Sequence, residues 1–331
     1  MLRGKDLIND INARPVAPGE VAAWWLGQHG FVFKTQAGVL YLDAFLTNLP
    51  DRLAPPLLSP GDVTNATWIA GTHDHADHID RDSWPGMAAA SPAAKFIVPD
   101  LLLPNLACEL GLPRERFIGM DDGTSVTLAR STGILPVSSA VSSSSSSSSS
   151  SSAAAAAAAS AAIAQQQKQK QDMGKMPMLH TGKMPVPHSE PHLTIHALAS
   201  AHEFLDRDSA TGKYPYLGFV IEAGGCTFYH SGDCCLYEGL VTKLRAFSPC
   251  AMFLPINGRD ARRLRANCIG NFTYQEAADL AGAVGCKLVV PAHYDMFAMN
   301  LGPADEFIDY IHVKYPAMQV LKPNYGECFT F

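Results

Sequence analysis

The chain has 331 residues and a formal net charge of −6 at neutral pH, with 25 Lys and Arg against 31 Asp and Glu. That balance argues against an extended nucleic-acid surface, which would be basic, and leaves room only for a local basic patch. Apolar residues make up 47% of the sequence, enough for a large core, yet no apolar run reaches the ~18 residues of a membrane span. The first residues, Met1-Leu2-Arg3-Gly4-Lys5-Asp6, lack the apolar stretch of an export signal, and the eight cysteines have no paired spacing. A cytoplasmic protein with reduced thiols is expected.

In chain order, residues 21–26 read as a strand and Gly27-Gln28-His29-Gly30 as a turn. Residues 31–34 and 39–43 then form a meander across Gln36-Ala37-Gly38. His29, alone among glycines, reads as a loop residue and is left out of any site. Asp43 closes a buried strand, either as a neighbour of a metal centre or as a strand-end cap. A short strand at 66–70 delivers Gly71-Thr72-His73-Asp74-His75-Ala76-Asp77-His78-Ile79-Asp80. This HxHxDH pattern gathers the imidazole and carboxylate donors that a borderline divalent cation accepts. In extended chain His73, His75 and Asp77 share one face, and His78 turns in where the chain bends. The spacing fits one cation on His73 and His75, with Asp77 and His78 on a second beside it.

Residues 95–99, 117–118 and 125–128 read as strands and 101–110 as a short helix, the alternation of a layered α/β protein. From Ser131 the character changes: 142–152 are all serine, 153–159 all alanine, and 165–171 are glutamine and lysine. Such a tract cannot bury enough apolar surface to offset the entropy of ordering it. Three copies of one short pattern, at 132–137, 173–178 and 181–186, flank it, as in a translated repeat inserted into a surface loop. A single domain over 1–331, interrupted by a disordered insertion at about 131–190, is the expectation. His180, His188 and His192 lie in or beside that segment and are not counted as ligands.

Order resumes with a strand at 193–198, which leads to His202. A hairpin of 216–222 and 226–229 ends in His230-Ser231-Gly232-Asp233. A strand at 251–255 opens into Ile256-Asn257-Gly258-Arg259-Asp260. Thr273 and Glu276 form a capping-box pattern ahead of Ala277, Leu280, Ala281 and Val284 at helical spacing. A strand at 287–291 delivers His293-Tyr294-Asp295, and a last helix runs from 305 to about 315. His202, Asp233 and His293 therefore each follow a buried strand, and ligand sites of α/β proteins gather where strand ends converge. His73, His75 and His202 are assigned to one metal, Asp77, His78 and His293 to the other, and Asp233 to a bridge between them.

The order HxHxDH, His, Asp, His resembles the metallo-β-lactamase superfamily. Trp24-Trp25-Leu26-Gly27-Gln28, Pro255-Ile256-Asn257-Gly258-Arg259-Asp260, Gly270-Asn271-Phe272-Thr273-Tyr274-Gln275-Glu276-Ala277 and Pro291-Ala292-His293-Tyr294-Asp295-Met296-Phe297 are similar to the bacterial L-ascorbate-6-phosphate lactonase family within it. The similarity spans nearly all of the chain outside 131–190. It implies a four-layer αββα sandwich and opening of a small phosphorylated sugar-acid lactone by metal-bound hydroxide; one or two divalent ions (manganese or zinc) are expected, the His and Asp ligands suiting zinc, manganese or iron and the resemblance pointing to manganese. It also implies a homo-oligomer, while the acidic balance and the lack of a membrane-length apolar run point to neither nucleic acid nor membrane as a partner. Asp77 would orient the hydroxide, Asp233 pass a proton to the leaving alkoxide, and Tyr294 donate to the oxyanion. Arg259, with Asn257 beside it, would hold the phosphate. A phosphodiesterase of the same superfamily, acting on a nucleotide or phospholipid head group, is the alternative within the class. A non-catalytic binding protein with a vestigial site is the alternative outside it, and lost ligands would mark it.

Overall fold

Apolar side chains alternate onto both faces of the early strands, so the sheet they form needs cover on two sides. The computed structural model describes residues 1–129, 133–135 and 190–331. Its first half contains α1 (Gly4–Ala13), β1 (Ala22–Gly27), β2 (Gly30–Lys34), β3 (Val39–Leu42), β4 (Trp68–Ala70), α2 (Trp84–Ala90), β5 (Lys95–Pro99), α3 (Leu103–Glu109) and β6 (Phe117–Met120). The second runs through β7 (Ser125–Ala129), β8 (Gly133–Leu135), β9 (His192–Ala199), β10 (Leu217–Ala223), β11 (Cys226–His230) and α4 (Leu240–Phe247). It continues with β12 (Ala251–Pro255), α5 (Ala261–Arg265), α6 (Tyr274–Val284), β13 (Leu288–Ala292), α7 (Ala304–Lys314), β14 (Gln319–Val320) and β15 (Cys328–Thr330).

Two sheets result, ordered β15-β1-β2-β3-β4-β5-β6 and β14-β13-β12-β11-β10-β9-β7-β8. Strands β3 to β6 run parallel to one another, as do β11 to β14. Side-chain alternation assigns the layers. Phe31, Phe33, Leu40 and Leu42 point into the space between the sheets, where Phe33 meets Phe228 and Phe253 with ring centroids 4.7 and 5.0 Å apart. Trp24, Val32 and Tyr41 point the other way, onto Leu7, Ile8 and Ile11 of α1, Met87 of α2 and Leu106 of α3. Leu240 and Leu244 of α4, Ala277 and Ala281 of α6, and Phe307 and Ile311 of α7 join the core on the second sheet. The layers are thus helix, sheet, sheet, helix.

Several elements differ from their expected forms. Helices α1, α2, α4 and α5 have no counterpart in the spacing-based reading; α2 and α5 are too short to show a period, and α2 carries Pro85 and Gly86. Residues 133–135 fall inside the expected insertion, yet they pair antiparallel to β7, with Leu128 opposite Ile134. The described residues belong to one unit; the expected disorder of the tract, His180 and His188 lie outside the described residues. No helix among the described residues is long and apolar enough to cross a membrane. All eight cysteines are free.

The capping box at α6 closes on both sides: the Glu276 N–H donates to Thr273 Oγ1 at 3.3 Å, and the Thr273 N–H donates to Glu276 Oε2 at 2.9 Å. Thr273→Ala is expected to lower the unfolding free energy by about 1 kcal/mol, read as a shifted midpoint at unchanged slope in urea denaturation.

Candidate metal centre

Strand ends supply the site. Beyond β4, Thr72 donates its N–H to Asp43 Oδ1 at 2.8 Å and its hydroxyl to Oδ2 at 2.8 Å, which fixes the start of the HxHxDH loop against the end of β3. Asp43 also takes His78: Nδ1 lies 2.7 Å from Oδ2 and both side chains are fully buried. That anchor leaves His78 Nε2 pointing inward with no hydrogen-bond partner. Asp233 follows β11 through Gly232, whose φ is 57° and whose added Cβ would meet the Leu217 carbonyl oxygen at 2.7 Å. Only glycine makes that turn. His293, after β13, is itself left-handed at φ 58°, as are Asp43 at 49° and Gln28 at 53°. Three non-glycine residues in this sparsely populated region around one point mark a site whose surroundings hold strain.

The histidines and carboxylates fall into two groups. Ligand atoms of His73, His75, His202 and Asp233 lie within 4.8 Å of one another, and so do those of Asp77, His78 and His293. Asp233 faces both: Oδ2 is 3.6 Å from His202 Nε2, while Oδ1 is 3.2 Å from His293 Nε2 and 3.4 Å from His78 Nε2. Asp77 Oδ2 lies 3.3 Å from His293 Nε2 and 3.6 Å from His78 Nε2. His73 Nε2 and His75 Nδ1 face each other across 3.0 Å.

Electrostatics divide the same way. Burial holds His73 well below the usual imidazole value and lowers His202 to about 4, so both present neutral nitrogens. Burial also disfavours charge on His78 and His293, but Asp43, Asp233 and Asp77 outweigh it; His78 rises well above its ordinary value and His293 to about 9. Asp233 and Asp77 are drawn below the carboxylate range against the pull of burial, chiefly by His293 and His78. Protons on His78 and His293 thus offset the charge of Asp43, Asp77 and Asp233 around them. Divalent cations held by the same residues would do the same and would release those protons. The unpartnered His78 Nε2, His202 Nδ1 and Asp233 Oδ1 are what such ions would take up or reorient, so the donor set fits them.

Other expected site residues are placed elsewhere. Tyr294 turns into the core and stacks on Trp25 at 5.3 Å; the acids acting on its phenol are Asp295 and Asp305. The tyrosine against the cluster is Tyr216, 5.4 Å from His73 and 5.2 Å from His202 between ring centroids. Arg259 grips Glu276 with two hydrogen bonds of 2.7 and 2.8 Å and donates to the Asn271 carbonyl at 3.0 Å. Asn257 is buried, with its amide spent on Asn300 and Asn271; Asn300 in turn sits 3.2 Å from His293 Nδ1. His192 is exposed at the start of β9.

His29, read from sequence as a loop residue, is fully buried, 3.8 Å from Asp233 and stacked on His230 at 4.0 Å. His29, Asp43 and His230 also cluster within 4.8 Å, but Asp43 is already filled by Thr72 and His78. His230 Nε2 lies 2.9 Å from the His29 carbonyl oxygen. This trio supports the centre from beneath. A cleft of about 230 Å³ opens at Asp77, lined by Gln28, Phe45, Leu49, Cys268, Phe297, Met299 and Asn300 among others.

Asp77→Ala is expected to abolish turnover and strip the second cation while the His73, His75 and His202 group keeps its own. Metal analysis of the purified variant checks it, and full occupancy with full activity would refute the role.

A family model described as the beta-lactamase superfamily domain matches residues 160–294, a stretch that includes His202, Asp233 and His293. A UPF0173 metal-dependent hydrolase of Methanosphaerula palustris is 31% identical over 112 residues, 33% of this chain and 46% of that protein. The chain thus matches about half the length of this curated relative. Among solved structures, the metallo hydrolase Igni18 of Ignicoccus hospitalis aligns with TM-score 0.59 and 17% identity, covering 94% of this chain and 98% of that one. An isothiocyanate hydrolase from Delia radicum gut bacteria aligns with TM-score 0.56 and 13% identity, over 94% and 99% of the two chains. The chain shares its αββα fold with these hydrolase structures, and residues 160–294 match the beta-lactamase superfamily domain.

Proposed function

We propose that this protein is a metal-dependent hydrolase that opens a small phosphorylated sugar-acid lactone. The observation that carries the hydrolase reading is Asp233, whose two oxygens face separate groups of neutral and protonated histidines, one of them beside Asp77, which lines the cleft. The lactone rests on the resemblance of Ile256–Asp260, Gly270–Ala277 and Pro291–Phe297 to the ascorbate-phosphate lactonases. Three asparagines from those strings and the segment just after them, Asn257, Asn271 and Asn300, form the hydrogen-bonded chain that reaches His293.

A bound cation pair would lower the pKa of a water and polarise the lactone carbonyl. His73, His75, His202, Asp77, His78, His293 and Asp233 would hold it. Asp77, kept ionised at the cleft wall, accepts a hydrogen bond from the attacking water and aims it. Tyr216 keeps its proton, since burial raises its phenol above the usual value, and so can donate toward the carbonyl oxygen as negative charge develops. The water oxygen bonds to the acyl carbon, the ring ester bond breaks, and the proton returns to the departing alkoxide by way of Asp233. Cytoplasmic location and a homo-oligomeric state belong to the same reading.

Two features of the cleft favour a second reading. Phe45, Leu49, Phe297 and Met299 give it an apolar wall, and Glu276 occupies the arginine expected to meet a phosphate. An uncharged electrophile attacked by the same water suits that wall, as the isothiocyanate hydrolase among the solved neighbours illustrates. A superfamily phosphodiesterase would need the same water and a cationic cleft.

Protein reconstituted separately with Mn²⁺ and Zn²⁺ and given L-ascorbate 6-phosphate, unphosphorylated lactones, a phosphodiester and an isothiocyanate is expected to turn over the phosphorylated lactone fastest; preference for any other class overturns the substrate. Arg259→Ala is expected to raise KM for the phosphorylated lactone far more than for its unphosphorylated analogue. Equal effects would confine Arg259 to its pair with Glu276.

A further inference from the structure

Gln28 takes no part in the steps above, yet the fold commits a buried, left-handed residue to it. Its side chain is 1% exposed and its φ is 53°. Both ends of the residue address one half of the centre. Its carbonyl accepts the His293 N–H at 2.8 Å and the Trp25 indole N–H at 3.1 Å. Its amide Nε2 donates to Asp77 Oδ2 at 2.8 Å and lies 3.1 Å from His293 Nε2. Among the described residues it makes no hydrogen bond to His73, His75 or His202. Reversing the amide would set Oε1 against the Asp77 carboxylate, acceptor to acceptor; the amide faces both Asp77 and His293 as a donor only once His293 Nε2 has given up its proton, as a nitrogen that holds a cation does. A carboxylate ligand keeps its direction when its spare lone pairs are occupied, and a neutral amide occupies them without adding charge.

We propose that Gln28 is a positioning residue for the Asp77–His78–His293 half of the centre, and that it sets the affinity of the second cation without altering the first. The inference rests on the two-cation reading, and wild-type metal stoichiometry separates the two. If the wild type binds a single Mn²⁺ in calorimetric titration, the reading itself fails and the inference with it. If it binds a pair, Gln28 is judged alone.

Gln28→Met keeps the length and volume of the side chain and loses the amide. The expected result is an unchanged first affinity, a second weakened about 10- to 100-fold, and electron paramagnetic resonance spectra of isolated rather than coupled Mn²⁺. Gln28→Asn, which cannot span Asp77 and His293 together, is expected to show the same selective loss and guards against misfolding of the methionine variant. In a cycle with Asp77→Asn, Gln28→Met should add little once the carboxylate is gone. The proposal is overturned if both affinities are unchanged, if both fall together as general loosening would make them, or if the losses add in the double variant.

Discussion

Asp233 is buried with its two oxygens turned toward different histidines, and keeping an ionised carboxylate there constrains everything around it. An isolated charge in such a place is costly. Here it is offset by His293 and His78 on one side and faces the neutral nitrogen of His202 on the other. Those partners must be held within about hydrogen-bond reach, which explains why several residues near it adopt unfavourable backbone conformations. Gly232 makes the turn that a side chain would block, and Asp43 and His293 accept left-handed geometry to bring His78 and an imidazole to the same point.

The sandwich makes this affordable. Parallel strands in both sheets end along one edge, so short segments after β3, β4, β11, β12 and β13 converge without long loops. Three of the assigned ligands are backed by a neighbouring side chain: Asp43 stands behind His78, Asn300 behind His293, and Gln28 behind Asp77. The phenylalanines packed between the sheets hold these ends at fixed separation. A site assembled this way tolerates large variation in its outer loops, since the geometry is carried by strand ends and their neighbours.

In the proposed reaction, chemistry at the centre and choice of substrate would be set by different parts of the molecule. The cluster would supply charge and orientation for a water, whatever it attacks. Selection would fall to the cleft at Asp77, with its apolar wall, and to arginines that the fold has partly engaged. Arg259 is bound to the residue that caps α6, and Arg263 donates to the Asn257 carbonyl and pairs with Asp260. Access for an anionic substrate therefore competes with pairs that also hold the local structure together.

By itself the sequence located the candidate metal ligands and most of the strands. HxHxDH is a local pattern, and the strands leading to His202, Asp233 and His293 carry apolar runs that need no tertiary information to read. The capping box at Thr273 was legible for the same reason. Only the tertiary structure decided the roles of isolated residues. His29 and Gln28 sit in a glycine-flanked turn that looks like surface loop, and their burial follows from β13 packing beside them. Tyr216, not Tyr294, lies against the cluster because the side chain after His293 turns to Trp25, a direction that spacing does not encode. Arg259 looked free because it lies in the loop before α5 while its partner Glu276 lies on α6. Local periodicity fixes which way a strand or helix faces; which lone polar side chains meet is set by contacts between segments distant in the chain.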